Sequence, residues 1–147
     1  MPEREDIVAA ARGWIGTPYR HQMSRRGAGC DCLGLLRGVW REVLGKEPES
    51  APAYTRDWSE PQGEEALWQA AGRHLVSKGI CDAAGGDVLL FRMRDGAVAK
   101  HVGLQSEVGA MPRFIHAYDR HGVIESPLSA PWQRRIVARF AFPERNE

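Results

Sequence analysis

The length, composition and charge of the chain restrict its class before any motif is considered. It has 147 residues, of which 43% are hydrophobic, and a formal net charge of +1. These values are typical of one folded domain, and they argue against a disordered chain or a basic nucleic-acid-binding protein. We therefore expect a single domain over residues 1–147 that binds no nucleic acid. The first residues are charged and no apolar run is long enough to cross a bilayer, so we expect cytoplasmic synthesis without a signal peptide and no membrane insertion.

Apolar residues at helical spacing dominate the first half of the chain. The pattern predicts three helices, over residues 7–15, 32–44 and 66–76. Each predicted helix is followed by a glycine that would end it: Gly16, Gly45 and Gly79. Residues 46–63 contain three prolines among polar side chains, which predicts an extended connection on the surface.

Short β-like runs separated by glycine and proline turns fill the second half. Five strands are predicted, over residues 88–91, 101–104, 113–118, 122–125 and 136–142. Because helices come first and closely connected strands follow, the sequence predicts an α+β fold in which N-terminal helices pack on an antiparallel sheet.

Cys32 is the candidate nucleophile because it lies where the second helix begins. Unpaired backbone N–H groups and the positive end of the helix dipole favour a thiolate there, which predicts a pKa lowered from ~8.5 to about 3.5–7.5. His101 and His116 both fall in predicted strands, where they could supply a base and its orienting partner. The alternative for Cys32 is a buried small hydrophobe. Three cysteines, two of them at Cys30 and Cys32, indicate no disulfide framework.

Three motifs occur in a fixed order along the chain. They are Gly16-Thr17-Pro18-Tyr19 ahead of Asp31-Cys32-Leu33-Gly34-Leu35, Gly86-Asp87-Val88-Leu89-Leu90-Phe91 ahead of His101-Val102-Gly103-Leu104, and Phe114-Ile115-His116-Ala117. Together they resemble the NlpC/P60 family of papain-like cell-wall cysteine peptidases.

The resemblance implies a papain-like NlpC-type fold and a set of site residues. Cys32 would be the nucleophile, His101 the general base, and His116 the residue that orients the base. Tyr19 would lie beside the developing oxyanion, and Asp31 would meet a free amino group of the bound peptide. No metal or other cofactor is implied.

A substrate and a setting are also implied by the resemblance. The family's usual substrate is the peptidoglycan stem peptide, cleaved between D-γ-glutamate and the following diamino acid. The form Gly-Cys-Asp-Cys-Leu-Gly-Leu resembles the tail-associated members of bacteriophages and gene transfer agents. It therefore implies a place in a virion or transfer-agent tail, contacts with other tail-tip or hub proteins, and action in the periplasm or cell wall during entry. Leu33 stands where the family usually has serine, which bears on specificity.

Three other functions stay open on the sequence alone. A zinc ion could be held by a cysteine and histidine set, namely Cys30, Cys32, His21, His101 and His116, although Cys-x-Cys is not a usual zinc spacing. The chain could be a structural tail plug or adaptor with little hydrolytic activity. It could also be a thiol amidase or acyltransferase that uses the same fold and the same residues.

Overall fold

The computed structural model of the protein describes residues 3–48 and 65–143. The helices in these ranges are α1 Arg4–Arg12, α2 Cys32–Val43, α3 Ala66–His74 and α4 Ala130–Gln133. The strands are β1 Ser24–Arg25, β2 Gly29–Cys30, β3 Val76–Lys78, β4 Val88–Arg92, β5 Ala99–Glu107, β6 Arg113–Tyr118, β7 Gly122–Pro127 and β8 Ile136–Ala141. Most of the predicted connection over residues 46–63 lies outside the described residues.

The strands confirm the predicted antiparallel arrangement. Six of them form one sheet in the order β3-β8-β4-β5-β6-β7, and every neighbouring pair in it is antiparallel. Side chains alternate between the two faces of β4. Val88 and Leu90 join the core shared with the helices, whereas Leu89 and Phe91 join a second apolar cluster. The sheet is therefore buried on both faces along β4.

The first helix is shorter than its apolar pattern predicts. The pattern extends to Ile15, but α1 ends at Arg12. Trp14 and Ile15 make tighter turn bonds, to the Ala11 and Arg12 carbonyls. From Gly16 the backbone makes tertiary bonds: the Gly16 N–H donates to the Val123 carbonyl at 3.0 Å, and the Val123 N–H donates to the Thr17 carbonyl at 2.9 Å. These bonds to β7 compete with further helical bonds, and so the prediction of helix up to residue 15 is wrong.

The third predicted helix also ends early. It was predicted to reach Val76, but α3 stops at His74 and the chain continues as β3. Val76 pairs with Ala141 of β8, a partner 65 positions away in the sequence. Local periodicity contains no information about such a pairing, and tertiary structure overrides the helical pattern here.

The second helix begins at Cys32, as predicted, and its position against the rest of the fold is set by two glycines. A Cβ at Gly38 would overlap the indole of Trp14, and one at Gly34 would overlap the backbone carbonyl of Met23. The absence of side chains at these positions lets α2 approach both segments closely. Gly45 follows the helix with φ +94°, the left-handed conformation that suits a glycine just past a helix end.

Candidate active site

The candidate nucleophile lies at the N-terminus of α2, against strand β5. Cys32 is the first residue of the helix and is buried, with 8% of its surface exposed. Its thiol donates a hydrogen bond to the Lys100 carbonyl, with Sγ and O 3.7 Å apart. The backbone of Val102 also interacts with the thiol. These two backbone groups flank His101, so the fold brings Cys32 to the segment that carries the candidate base.

The thiol is protonated in this buried position. Burial raises the pKa of Cys32 to about 12, and the nearby charge of Asp31 acts in the same direction. Backbone hydrogen bonds from Val102, Leu33 and Cys32 itself oppose the rise, as expected at a helix N-terminus. The prediction of a lowered thiol pKa is wrong here, because the loss of water around a thiolate outweighs the favourable backbone groups.

The two candidate histidines form one hydrogen-bonded chain. His101 on β5 and His116 on β6 are both buried. Nε2 of His101 lies 2.8 Å from Nδ1 of His116, and Nε2 of His116 lies 3.1 Å from Oγ of Ser126. Within the described residues, Nδ1 of His101 has no hydrogen-bond partner and can therefore accept a proton from a reacting group.

Aromatic side chains and a glycine shape the space around the two imidazoles. The Trp132 ring centroid lies 5.7 Å from that of His101 and 5.1 Å from that of His116, and Phe114 stacks on His116 at 4.1 Å. Gly103 allows this close packing, because a Cβ there would lie only 2.9 Å from the Phe114 ring and 3.3 Å from the Cβ of His116.

The histidines stay neutral at physiological pH. Burial lowers the pKa of His101 to about 3, and the neighbouring His116 adds to the effect. Burial also lowers the pKa of His116 to about 4, with a further contribution from the charge of His121. Both rings are therefore unprotonated at pH 7, the state in which an imidazole can act as a general base.

Asp31 caps helix α2 and bonds to the loop that precedes it. It is the N-cap of α2 and is 2% exposed. Its Oδ1 accepts a hydrogen bond from the Gly34 N–H at 2.8 Å, and its Oδ2 accepts one from the Gln22 N–H at 2.7 Å. The Nδ1 of His21 lies 3.8 Å from the same Oδ2. Asp31 thus holds the start of the helix and the preceding loop in place, and its contact with substrate stays a prediction.

Tyr19 is held next to this loop by backbone pairing. It forms an isolated parallel bridge with Cys30, and the Arg20 N–H donates to the Cys30 carbonyl at 3.0 Å. The Tyr19 side chain is half-buried and packs against the main core. The fold therefore places Tyr19 beside the segment that leads into Cys32, while its proposed contact with an oxyanion is untested.

The residue after the candidate nucleophile faces an apolar groove. Leu33 lines this groove between α2 and α3 together with Leu36, Trp40 and Leu67. The replacement of the family's usual serine by leucine therefore adds apolar surface to the groove instead of a hydroxyl.

Two residues of the site were not found from the sequence. Ser126 carried no recognisable signal, since it is an isolated serine near the end of a strand. Trp132 belongs to α4, for which a signal existed: Ser129 is the N-cap and a proline lies in the first turn. A four-residue helix is too short to show apolar periodicity, and this signal was therefore overlooked.

The remaining groups bear on the alternative sites. All three cysteines are unbridged; Cys30 is buried and Cys81 is exposed. Over residues 3–48 and 65–143, no three histidine, cysteine or acidic side chains converge as a metal site would require. In the same ranges, no helix combines the length and apolar character needed to cross a membrane.

Comparison with known proteins settles the family. The model of the NlpC/P60 family matches residues 16–140, which is most of the chain. The chain belongs to the NlpC/P60 family. This family is generally one of cysteine peptidases or related hydrolases and suggests activity on the cell wall. Among curated proteins, none matches the sequence significantly.

Solved structures of NlpC/P60 proteins share the fold. A lipoprotein-like NLP/P60 protein from Staphylococcus aureus is 22% identical with a TM-score of 0.63, and the match covers 96% of this chain and 41% of that one. A family protein from Bacillus cereus is 21% identical with a TM-score of 0.65, with coverages of 96% and 40%. NlpC1 from Trichomonas vaginalis is 20% identical with a TM-score of 0.58, with coverages of 96% and 44%. The likeness confirms the papain-like α+β fold, and the chain spans about two fifths of these proteins.

Proposed function

We propose that the protein is a cysteine peptidase that hydrolyses peptidoglycan stem peptides, with Cys32 as nucleophile, His101 as general base and His116 as its orienting partner. The observation that carries the proposal is the position of the Cys32 thiol against the two backbone groups that flank His101, while His101 bonds to His116. Membership of the NlpC/P60 family supports the same reaction class.

The protonation states define the first step. The thiol is protonated and both imidazoles are neutral at pH 7, so attack on the substrate carbonyl requires transfer of the thiol proton to Nδ1 of His101. The sulfur forms the new bond to the carbonyl carbon, the peptide carbon–nitrogen bond breaks, and the resulting His101 imidazolium gives its proton to the leaving amine. Water then gives a proton to His101 and attacks the thioester, the carbon–sulfur bond breaks, and His101 returns the proton to the Cys32 sulfur.

The start of α2 supplies groups that can stabilise the intermediate. The backbone N–H of Cys32 lies at the N-terminus of the helix, where it can donate to the developing oxyanion. We assign the Tyr19 hydroxyl to the same oxyanion and the Asp31 carboxylate to the free amino group of the stem peptide, in line with the family resemblance.

The proposed bond is the one between D-γ-glutamate and the following diamino acid. The sequence around Cys32 further supports the assignment of the protein to the tail tip of a phage-like particle, in contact with other tail or hub proteins, where it would open the cell wall during entry. Both statements depend on the resemblance of the motifs and not on the geometry of the site.

The experiment is a digestion of purified muropeptides with product identification by mass spectrometry. Wild-type protein is expected to cleave the γ-glutamyl bond, and Cys32→Ala is expected to be inactive. Cys30→Ala and Cys81→Ala are the matched controls and are expected to retain activity. Equal loss in all three variants would contradict the assignment of the nucleophile.

Other products would favour the other functions. Transfer of the acyl group to an added amine would indicate an acyltransferase. A folded wild-type protein that cleaves no muropeptide, yet assembles into particles, would favour the plug or adaptor.

A further inference from the structure

Ser126 ends the hydrogen-bonded chain that begins at the candidate base. It lies on the edge strand β7, in register with Phe114, and its hydroxyl reaches the neighbouring His116 on β6 at 3.1 Å. The serine is half-buried and is not within hydrogen-bond range of any other described side chain. Its own proton can therefore point to solvent while its oxygen accepts from the imidazole.

The direction of this chain decides whether His101 can act as a base. A neutral imidazole carries one proton, on either Nδ1 or Nε2. For Nδ1 of His101 to accept the thiol proton, its Nε2 must be protonated and donate to Nδ1 of His116. His116 must then carry its own proton on Nε2, which is the nitrogen that faces Ser126. In the reverse arrangement, the Ser126 hydroxyl would donate to Nε2 of His116, and Nδ1 of His101 would already be protonated and could not act as a base.

We propose that Ser126 is a positioning residue that accepts the Nε2 proton of His116 and thereby keeps His101 in the tautomer required of the general base. The effect of Ser126 on catalysis rests on the proposed function. The tautomers of His101 and His116 can be measured in the free protein, without substrate. Loss of the Ser126 acceptor leaves a buried N–H of His116 without a partner and removes the preference for the productive direction.

The first test reads the tautomers without any substrate. Protein with ¹⁵N-labelled histidine is studied by long-range ¹H–¹⁵N NMR at pH 7.5, with His101 and His116 assigned through single variants. In the wild type and in Ser126→Thr, which retains a hydroxyl, both rings are expected to be protonated on Nε2. In Ser126→Ala, a mixture or the Nδ1 form is expected. The same tautomers in Ser126→Ala as in the wild type would overturn the proposal.

The second test measures muropeptide cleavage as a function of pH. Ser126→Ala is expected to lower kcat by about three- to tenfold at unchanged KM, since one ordinary hydrogen bond acts on the chemical step alone. The acidic limb of its pH–kcat profile is expected to move to lower pH. The protonated imidazole pair loses a hydrogen-bond acceptor, and its pKa therefore falls. Ser126→Thr is expected to stay within about twofold of the wild type in kcat, as one hydroxyl replaces another.

The charged surroundings are the same in all of these variants. Among the described residues, the titratable side chains around the imidazole pair are Cys32 on α2, Tyr118 on β6 and His121 in the following turn, while Arg135 lies over Trp132. None of these is altered, and a change in the pH profile can be attributed to position 126.

Ser106→Ala is the matched control. Ser106 is also a serine of the sheet and donates a hydrogen bond of 2.6 Å to Glu125, outside the histidine chain. The Ser106→Ala variant is expected to leave unchanged both the tautomers of the two histidines and the pH dependence of muropeptide cleavage. A Ser106→Ala profile shifted like that of Ser126→Ala would indicate a general effect on the sheet and would overturn the proposal.

The two tests separate this inference from the proposed function. Nε2-protonated rings that change on Ser126→Ala, in a protein that cleaves no muropeptide, would refute the peptidase but keep the role of Ser126 in the tautomer. Cleavage that depends on Cys32 but is unaffected by Ser126→Ala would refute the positioning role and keep the peptidase.

Discussion

Two buried polar clusters share the central sheet, and they are built in opposite ways. In one, the Asp87 carboxylate accepts hydrogen bonds from Lys78 at 2.9 Å, from Arg139 at 2.8 Å and from the Ala84 N–H at 2.9 Å. In the other, neutral His101 bonds to neutral His116, which is its one side-chain partner within residues 3–48 and 65–143. Strand β5 contributes to both clusters, through Gln105, which accepts from Arg139, and through His101 four residues earlier.

The difference distinguishes a charge-matched cluster from a neutral one that can exchange a proton. Asp87 is fully buried, but its charge is matched by three cations, namely Lys78, Arg139 and, at 3.5 Å, the exposed Arg4, which makes burial tolerable and leaves little capacity for another ligand. His101 has no counter-charge and keeps one ring nitrogen available among the described residues. A charge-matched cluster joins strands together, whereas a neutral pair with an available nitrogen can receive a proton.

The largest expected effect is on activity, from His101→Gln. Glutamine can still bond to His116 but cannot serve as a base at Nδ1, and general-base catalysis contributes about 10²- to 10⁴-fold. We expect kcat/KM for muropeptide cleavage to fall by that factor. Because no buried charge is left unpaired, the free energy of unfolding in urea at pH 7.5 should fall much less than in Asp87→Asn. A variant with near wild-type activity would remove His101 from the reaction.

Asp87→Asn is expected to have the largest effect on stability. It leaves Lys78 and Arg139 buried without their counter-charge, which costs about 3–5 kcal/mol of unfolding free energy. Urea denaturation measures this loss, and Asp82→Asn, an exposed carboxylate in the same loop, is the control, expected within about 0.5 kcal/mol of the wild type. Equal stability of the two variants would contradict a structural role for the Asp87 cluster.

The smallest expected effect concerns the pH dependence of stability. The pKa values of His101 and His116 are lowered to about 3 and about 4, from 6.5. Below pH 6.5 the unfolded chain therefore binds more protons than the folded one, and stability falls as pH falls. The slope is at most about 1.4 kcal/mol per pH unit for each histidine.

The His101→Gln variant tests the contribution of His101 to this pH dependence. The variant has one fewer buried neutral histidine, and its unfolding free energy should fall less between pH 7 and pH 4.5 than that of the wild type. The carboxylates are common to both proteins and cancel in the difference. Parallel curves of unfolding free energy against pH would mean that the pKa of His101 is not lowered in the folded protein.

Features determined by nearby residues could be predicted from the sequence. The start of α2 at Cys32, the central strands and the antiparallel class follow from apolar spacing and turn residues. The order of the motifs also led to the correct family. These signals are contained in segments of about ten residues or fewer, and no distant partner is needed to recognise them.

Tertiary structure alone decided the features that depend on distant pairing or burial. Strand β3 exists because Val76 meets β8, and α1 ends early because Gly16 and Thr17 bond to Val123. The pKa of Cys32 is raised and not lowered, since packing against β5 removes water from the thiol. Local sequence can place a thiol at a helix start, but the free energy of its charged form depends on every segment that surrounds it.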